Sequence, residues 1–415
     1  MPIDPAAPPP AGRRWFVVAM TLASGLGLVK GFVFAGLLGA EDFGRYGLVL
    51  LITQFSLYLT SWGVLNALTF GLPPMFGRRD PGTADEMDRG LGAVLIACPL
   101  TVAAYLAALA VADGAGADAT PALWIAGAAA LVSTPCEFYL LLVRVQRRLR
   151  ALASLYLLRA VAVLVLGGAG AAIVGFEAVV AAEIVGMVLV VVISQGRLTP
   201  DTRPRRPSRE TLRRLVRAGA PIALSNLLVA ATVTLDRFFV AAARPDELGQ
   251  YVFAALAVTV WLAITGIAGQ MAMPQLLYEY GGGLPLSGLR RRTARLVGLG
   301  AAAGLAGLAL LLAVRGPVGE ALFPQFTRGL ELMPILYAGG LLTFVAFYGF
   351  ILQELRPRLA TVATGAGALV QCAGGVALAA SDASLTAYAW LFVAAQLTAT
   401  VLLLALTERA IRATI

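Results

Sequence analysis

Apolar runs of about 20 residues alternate with short polar segments along almost the whole chain. An α-helix rises 1.5 Å per residue, so runs of this length match the ~30 Å hydrocarbon core of a bilayer. The pattern predicts an all-α integral membrane protein with twelve transmembrane helices. The predicted spans are residues 15–38, 44–73, 90–112, 121–143, 151–174, 177–195, 218–242, 248–277, 294–314, 330–353, 359–380 and 385–406.

The longest polar interruption, Gln195–Arg217, lies between the sixth and seventh predicted spans. It carries eight arginines against two carboxylates, Asp201 and Glu210, and its prolines disfavour helix in its first part. Arginine collects in cytoplasmic loops beside membrane spans, so this segment is predicted to be a solvated basic linker. The predicted organisation is a disordered proline-rich tail (1–12), an N-terminal six-helix lobe (13–195), a basic cytoplasmic linker (196–217), a C-terminal six-helix lobe (218–406) and a cytoplasmic tail (407–415).

Composition supports the membrane class and narrows the chemistry. Hydrophobic residues make up 59% of the 415 residues and charged residues 13%, more apolar surface than a soluble fold could bury. The basic clusters lie between apolar runs, so the net charge of +9 indicates anionic membrane lipids as partners and no nucleic acid. The chain has no histidine, and Cys98, Cys136 and Cys372 lack metal-ligand spacing. We expect no metal and no cofactor, and we expect all three cysteines in the core.

The distribution of basic residues predicts the topology. Placing both termini in the cytoplasm assigns 25 of the 32 Lys and Arg residues to cytoplasmic segments and four to the opposite side. We therefore expect a multi-pass protein of the cytoplasmic (inner) membrane with both termini inside. The predicted outer segments are short, so they have no room for a catalytic domain, and enzymatic activity is not expected.

An internal repeat relates the two halves. The sequence AEDFGRYGLVLL (40–51) follows the first span, and PDELGQYVFAAL (245–256) follows the seventh at a constant offset of 205 residues. An acidic pair, a bulky apolar residue and Gly-x-Tyr recur in order. Further along, Gln54 aligns with Thr259. Both copies fall on the same side of the predicted membrane, so the lobes are expected to be parallel repeats around a central cavity.

These motifs, with TLDRFFV (234–240) and the arginine-rich turn QRRLRA (146–151), resemble those of polysaccharide biosynthesis proteins of the O-antigen flippase type. That family is part of the multidrug/oligosaccharidyl-lipid/polysaccharide exporter superfamily. The resemblance implies a flippase for a lipid-linked oligosaccharide of the polyprenyl-diphosphate type, working by alternating access in the synthesis of cell-surface polysaccharide such as lipopolysaccharide. Other polysaccharide assembly proteins are possible partners.

Ionisable residues within the spans are the candidate site residues, because a charge in hydrocarbon is costly and is kept where it meets water, a partner or a substrate. Lys30 lies roughly 12 Å from the end of its span by the helical rise. The repeat aligns it beside Asp236 and Arg237. We predict that Lys30, Arg237 and Arg159 bind an anionic head group and that Asp236 couples transport to an ion gradient.

Structural alternatives remain for the same charges. Lys30 could form a salt bridge with Asp236 between the lobes, or an ion pair that serves helix packing within one lobe. Arg159 could face the cavity or pair with Glu183.

Polar residues around these charges are predicted to line the cavity. In the seventh span Ser225, Thr232 and Asp236 share one helical face, and Asn226 lies on a neighbouring face with Arg237. The residues predicted to line the cavity are Gln54, Ser225, Asn226, Thr232 and Thr259.

Three function classes follow from the sequence. The first is the flippase, whose diphosphate head group would suit cationic residues at cavity depth. The second is a cation-coupled multidrug exporter of the same superfamily, for which stronger clustering of carboxylates is expected. The third is a membrane-embedded glycan polymerase or ligase, which the short outer segments disfavour.

Overall fold

The computed structural model describes residues 13–78, 80–114, 121–146, 148–281 and 285–414. The predicted disordered tail, 1–12, lies outside these ranges. Within them the regular structure is helical and contains no β-strand, which confirms the all-α prediction. The helices are α1 (Arg13–Thr60), α2 (Val64–Arg78), α3 (Thr83–Gly114), α4 (Pro121–Val145), α5 (Leu149–Ile173), α6 (Phe176–Ile193), α7 (Arg209–Ala243), α8 (Leu248–Gly281), α9 (Leu286–Val314), α10 (Glu320–Leu322), α11 (Thr327–Val345), α12 (Phe350–Leu355), α13 (Pro357–Ala380) and α14 (Leu385–Thr414).

Eleven helices in the described ranges are long and apolar enough to cross a membrane. The first of them, Val18–Thr60, has 43 residues, about twice the length that one crossing requires. It is interrupted at Gly39, whose φ of 73° and ψ of 177° are not helical and are readily adopted by glycine. Counting this helix as two crossings agrees with the predicted twelve spans.

The chain divides into two compact units. The N-terminal unit runs to Leu37 and resumes over Arg45–Leu227, whereas the C-terminal unit comprises Leu38–Gly44 and the chain from Leu228 onward. The division therefore falls inside α7, between Leu227 and Leu228, and the basic linker together with the first half of α7 packs with the N-terminal unit.

The N-terminal unit has two main groups of buried apolar side chains. One joins α1, α4, α5 and α6, and it includes Cys136. The other joins α2, α3 and α4 to the start of α7 through Leu215. Cys98 is buried as expected, but Cys372, in the C-terminal unit, is exposed, so the expectation for that cysteine was wrong. An apolar span predicts burial in the membrane, and it does not tell which side chains face lipid.

The basic linker is attached to the N-terminal end of α3. The backbone N–H of Arg205 donates to the main-chain oxygen of Asp88 at 3.0 Å. The backbone N–H of Arg203 donates to Oδ1 of the same residue at 2.9 Å. Gly92 makes this approach possible, because a Cβ atom there would lie 2.0 Å from the Arg205 carbonyl oxygen. The linker is therefore not a freely solvated loop. Sequence reasoning missed the contact because its partners lie more than a hundred residues apart.

In the C-terminal unit the two copies of the repeated motif meet at their glycines. A Cβ on Gly44 would lie 2.8 Å from the backbone nitrogen of Gly249, and one on Gly249 would lie 1.7 Å from the carbonyl oxygen of Ala40. No larger residue fits at either position without backbone movement. Nearby, the Phe43 ring packs edge-on against Phe326, with centroids 5.8 Å apart. The glycine of the motif thus serves backbone packing.

Candidate functional site

A buried carboxylate, Glu183 on α6, is the centre of a charged cluster in the N-terminal unit. Its Oε1 accepts hydrogen bonds from the Lys30 ammonium on α1 and, at 3.0 Å, from the Tyr46 hydroxyl. Tyr46 follows the break at Gly39, so both halves of α1 contribute to the cluster. A buried carboxylate needs such donors, because removing it from water without partners would cost several kcal/mol.

Arg159 on α5 faces the other side of the same carboxylate. Its Nη2 lies 3.9 Å from Glu183 Oε2, and its Nη1 lies 4.0 Å from Oε1 of Glu137 on α4. These separations give electrostatic attraction without hydrogen-bond geometry. The Glu183 cluster (Lys30, Tyr46, Glu137, Arg159 and Glu183) therefore balances two cations with two carboxylates.

A second buried carboxylate, Asp236 on α7, lies in the C-terminal unit and is 1% exposed. Its Oδ2 accepts a hydrogen bond of 2.7 Å from the Tyr251 hydroxyl on α8. Its Oδ1 is buried and has no hydrogen-bond partner among the described residues. The described part of the chain therefore satisfies only one oxygen of this carboxylate.

Arg237, the next residue on α7, is 9% exposed, and its Nε and Nη2 atoms are buried without hydrogen-bond partners in the described part of the chain. A guanidinium group carries five N–H donors, and leaving donors of a charged group unsatisfied is costly.

Gln371 on α13 adds a third unsatisfied side chain at this depth. It is 0% exposed, and neither its amide oxygen nor its amide nitrogen has a hydrogen-bond partner within the ranges that the structure describes. Along the same helix pair, Gly367 packs against Thr232 and Gly375 packs against Phe239. Gln371 lies midway between these two contacts and therefore at the level of Asp236. We call Asp236, Arg237, Tyr251 and Gln371 the Asp236 site.

A sequence profile of the family described as "Polysaccharide biosynthesis protein" matches residues 11–277, well over half of the chain. The chain belongs to this family. No curated protein shows a significant match to it. The family and the apolar helices make the protein a multi-pass membrane transporter of the polysaccharide biosynthesis family.

Solved structures of similar fold come from MATE and MOP superfamily transporters. A MOP superfamily transporter from Pyrococcus furiosus, described by a reverse polarity of its binding pocket, matches with a TM-score of 0.65 at 15% identity, covering 96% of this chain and 94% of that one. A MATE in complex with MaL6 has a TM-score of 0.64, 14% identity and coverage of 96% and 94%. An outward-facing multidrug resistance MATE transporter has a TM-score of 0.62, 14% identity and the same coverage. At these identities the likeness establishes the fold.

In this family member the tyrosines of the repeated motif have equivalent roles. Tyr46 and Tyr251 are separated by the repeat offset, and each donates its hydroxyl hydrogen to a buried carboxylate, Glu183 or Asp236. The repeat revealed both tyrosines, but it gave no sign of their partners, because one carboxylate comes from α6 and the other from α7. The Gly-x-Tyr motif therefore combines a packing glycine with a tyrosine that donates to a carboxylate.

The polar residues predicted on α7 are divided between the two units. Asn226, in the N-terminal unit, is exposed and donates from Nδ2 to Oδ1 of Asn66 at 3.0 Å. Ser225, its neighbour, is half-buried in the same unit. Thr232, in the C-terminal unit, is buried and donates to the Leu228 carbonyl of its own helix.

The remaining predicted lining residues lie on exposed helix surfaces. Gln54 is exposed on α1. Thr259, its counterpart in the repeat, is exposed on α8 and donates to the Ala255 carbonyl of its own helix at 3.4 Å. The structure therefore gathers Lys30 and Arg159 around Glu183, places Asp236 beside Arg237, and brings none of the five predicted lining residues into hydrogen-bond contact with those charges.

Proposed function

We propose that this transporter flips a lipid-linked oligosaccharide of the polyprenyl-diphosphate type across the cytoplasmic membrane by alternating access, with both termini in the cytoplasm. Membership of the polysaccharide biosynthesis family supports this class of substrate. The observation that carries the proposal is the buried guanidinium of Arg237, two of whose nitrogens have no hydrogen-bond partner among the residues that the structure describes. A phosphate group would accept hydrogen bonds from these two guanidinium nitrogens.

Arginine suits this task because its planar guanidinium can donate two parallel hydrogen bonds to phosphate oxygens. The interaction is stronger in a buried site than in water, since the local dielectric constant is lower. In the proposed cycle Arg237 holds the head group while the polyprenyl tail stays in lipid. No covalent step is required.

Lys30 and Arg159 are proposed as substrate contacts that must give up Glu183 before they bind the head group. Lys30 is hydrogen-bonded to Glu183, and Arg159 lies 3.9 Å from the same carboxylate. A diphosphate offers these two cations the negative charge that Glu183 otherwise supplies. The exchange would make binding in the N-terminal unit reversible, because the carboxylate competes for both cations.

Asp236 is proposed as the coupling residue. Its Oδ1 is buried and lacks a hydrogen-bond partner in the described ranges, so the carboxyl group can take up a proton or a cation and release it when the site opens. Asp236→Asn should remove the dependence of transport on an ion gradient while the protein still folds. An unchanged gradient dependence in reconstituted vesicles would contradict this assignment.

The alternative function is a cation-coupled multidrug exporter. The buried carboxylate of Asp236 favours it, because a cationic drug could pair with the Oδ1 atom, which has no hydrogen-bond partner among the described residues. The two functions make opposite predictions for Arg237. Its removal should impair a flippase and should spare or improve the binding of a cation.

The test is transport by purified protein in vesicles supplied either with a lipid-linked oligosaccharide or with a cationic dye. We expect Arg237→Ala to abolish movement of the oligosaccharide lipid and Arg237→Lys to retain part of it. Arg358→Ala, at an exposed arginine of α13, is the matched control and should transport normally. Dye transport by the wild type, with no movement of the oligosaccharide lipid, would favour the exporter.

A further inference from the structure

The start of α7 has two distinct faces. Thr211 and Leu215 are buried, and Leu215 packs with apolar side chains of α2, α3 and α4. On the outer face Arg209, Arg213 and Arg217 are all exposed. The inner face fixes these first turns to the N-terminal unit, so the outer face is presented in one orientation.

Two neighbouring arginines have a different role, because α3 already neutralises them. The guanidinium of Arg205 lies 2.5 Å from Asp85 Oδ1, and that of Arg214 lies 2.7 Å from Glu86 Oε2. These ion pairs, with the backbone contacts to Asp88, hold the linker against α3. They are exposed and individually weak, but together they fix the position of a short segment.

The three outer arginines have no such partner. Among the described residues, none of the guanidinium groups of Arg209, Arg213 and Arg217 forms an ion pair with a carboxylate. Glu210, the nearest carboxylate in sequence, lies about one helical turn before both Arg213 and Arg214, but among the described residues it forms no ion pair with Arg213. The three unpaired arginines repeat every four residues, which aligns them along one side of the helix over about 12 Å.

Their place in the chain puts this stripe at the membrane surface. Ala218, directly after Arg217, begins the apolar part of α7 that is predicted to cross the bilayer. Three fixed cations at that level can meet several phosphate groups of the adjacent leaflet at once, and guanidinium groups bind phosphate oxygens bidentately.

We propose that Arg209, Arg213 and Arg217 form a binding stripe for anionic phospholipid head groups in the leaflet at this end of α7. The stripe is separate from Arg237 and does not depend on which substrate is carried. Bound lipid would stabilise the linker side of the N-terminal unit, where α7 begins. Each arginine near an anionic surface raises the binding constant for that surface about fivefold, so the complete stripe should raise it on the order of a hundredfold.

The experiment measures which lipids the detergent-solubilised protein retains from an equimolar mixture of phosphatidylglycerol and phosphatidylcholine, by native mass spectrometry. We expect the wild type to retain phosphatidylglycerol preferentially. The variant R209Q/R213Q/R217Q should lose most of that preference, and R209K/R213K/R217K should keep most of it. The substituted side chains are exposed, and an unchanged melting temperature in neutral detergent would show that the fold is intact.

The matched control is R197Q/R203Q/R206Q. It removes the same charge from three exposed arginines of the linker and leaves the α7 stripe in place. It should keep the preference for phosphatidylglycerol. An equal loss in both triple variants would mean that net charge alone selects the lipid, and it would overturn the proposal. A wild type with no preference between the two lipids would overturn it as well.

Discussion

The Glu183 cluster and the Asp236 site both place ionisable side chains inside membrane helices, but they differ in how completely those groups are satisfied. Glu183 has Lys30, Tyr46 and Arg159 around its two oxygens. Among the described residues, Asp236 has Tyr251 on one oxygen and no hydrogen-bond partner on the other, and Arg237 keeps two buried nitrogens without hydrogen-bond partners. The Glu183 cluster is thus a closed network in which the charged groups satisfy one another, whereas the Asp236 site keeps polar atoms that the described part of the chain does not satisfy.

The largest expected effect is the loss of the closed network. Glu183→Gln would leave the cations of Lys30 and Arg159 facing a neutral side chain, and breaking a buried ion pair from one side costs roughly 3–5 kcal/mol. We expect a strongly lowered melting temperature in detergent. Glu177→Gln, at an exposed carboxylate in the first turn of the same helix, should leave it unchanged. A stable Glu183→Gln protein would mean that the cluster is not a packing element.

A smaller effect separates the two repeat tyrosines. Tyr251→Phe removes the tyrosine hydroxyl that donates to Asp236. It should lower the free energy of unfolding by about 1–3 kcal/mol, the penalty for a buried polar group left unsatisfied. Tyr46→Phe should cost only about 0.5–1.5 kcal/mol, because Lys30 still donates to Glu183. The comparison is made by chemical denaturation of the two variants under one condition. Equal losses would show that the two carboxylates are equally well satisfied.

The smallest effect on stability is expected at Gln371. Gln371→Leu removes two buried unsatisfied amide atoms, so the protein should be as stable as the wild type or more stable by up to about 1 kcal/mol, while transport falls. Gln396→Leu is the control. The Gln396 amide donates to the Thr232 carbonyl at 2.8 Å, so loss of this hydrogen bond should destabilise the protein. Loss of stability with normal transport in Gln371→Leu would remove this residue from the site.

The sequence predicted the class, the spans and the charged positions, because each follows from local composition. Runs of apolar residues defined the helices, and the repeat pointed to Tyr46 and Tyr251. Ionisable residues stood out inside the spans, which singled out Lys30, Asp236 and Arg237. These signals need no knowledge of which helices are neighbours.

Partners and orientation could not be predicted in the same way. Lys30 and Glu183 are separated by 153 residues, and nothing local to either one indicates the other. Gln371 carries no charge, so the sequence did not indicate it as a site residue. Its complete burial, which only the structure shows, is what makes it unusual. The boundary between the two units, which falls between Leu227 and Leu228, could not be predicted either, because α7 continues through it without a break.

The most direct test of the central claim is equilibrium binding of a water-soluble short-chain prenyl diphosphate to the detergent-solubilised protein, by isothermal titration calorimetry. The wild type should bind, Arg237→Ala should weaken binding at least tenfold, since charged hydrogen bonds contribute about 1.5–3 kcal/mol, and Arg237→Lys should fall between them. Arg358→Ala should bind as the wild type does. Undiminished binding by a folded Arg237→Ala protein would contradict the account, because the unsatisfied guanidinium would then have no part in holding the phosphate.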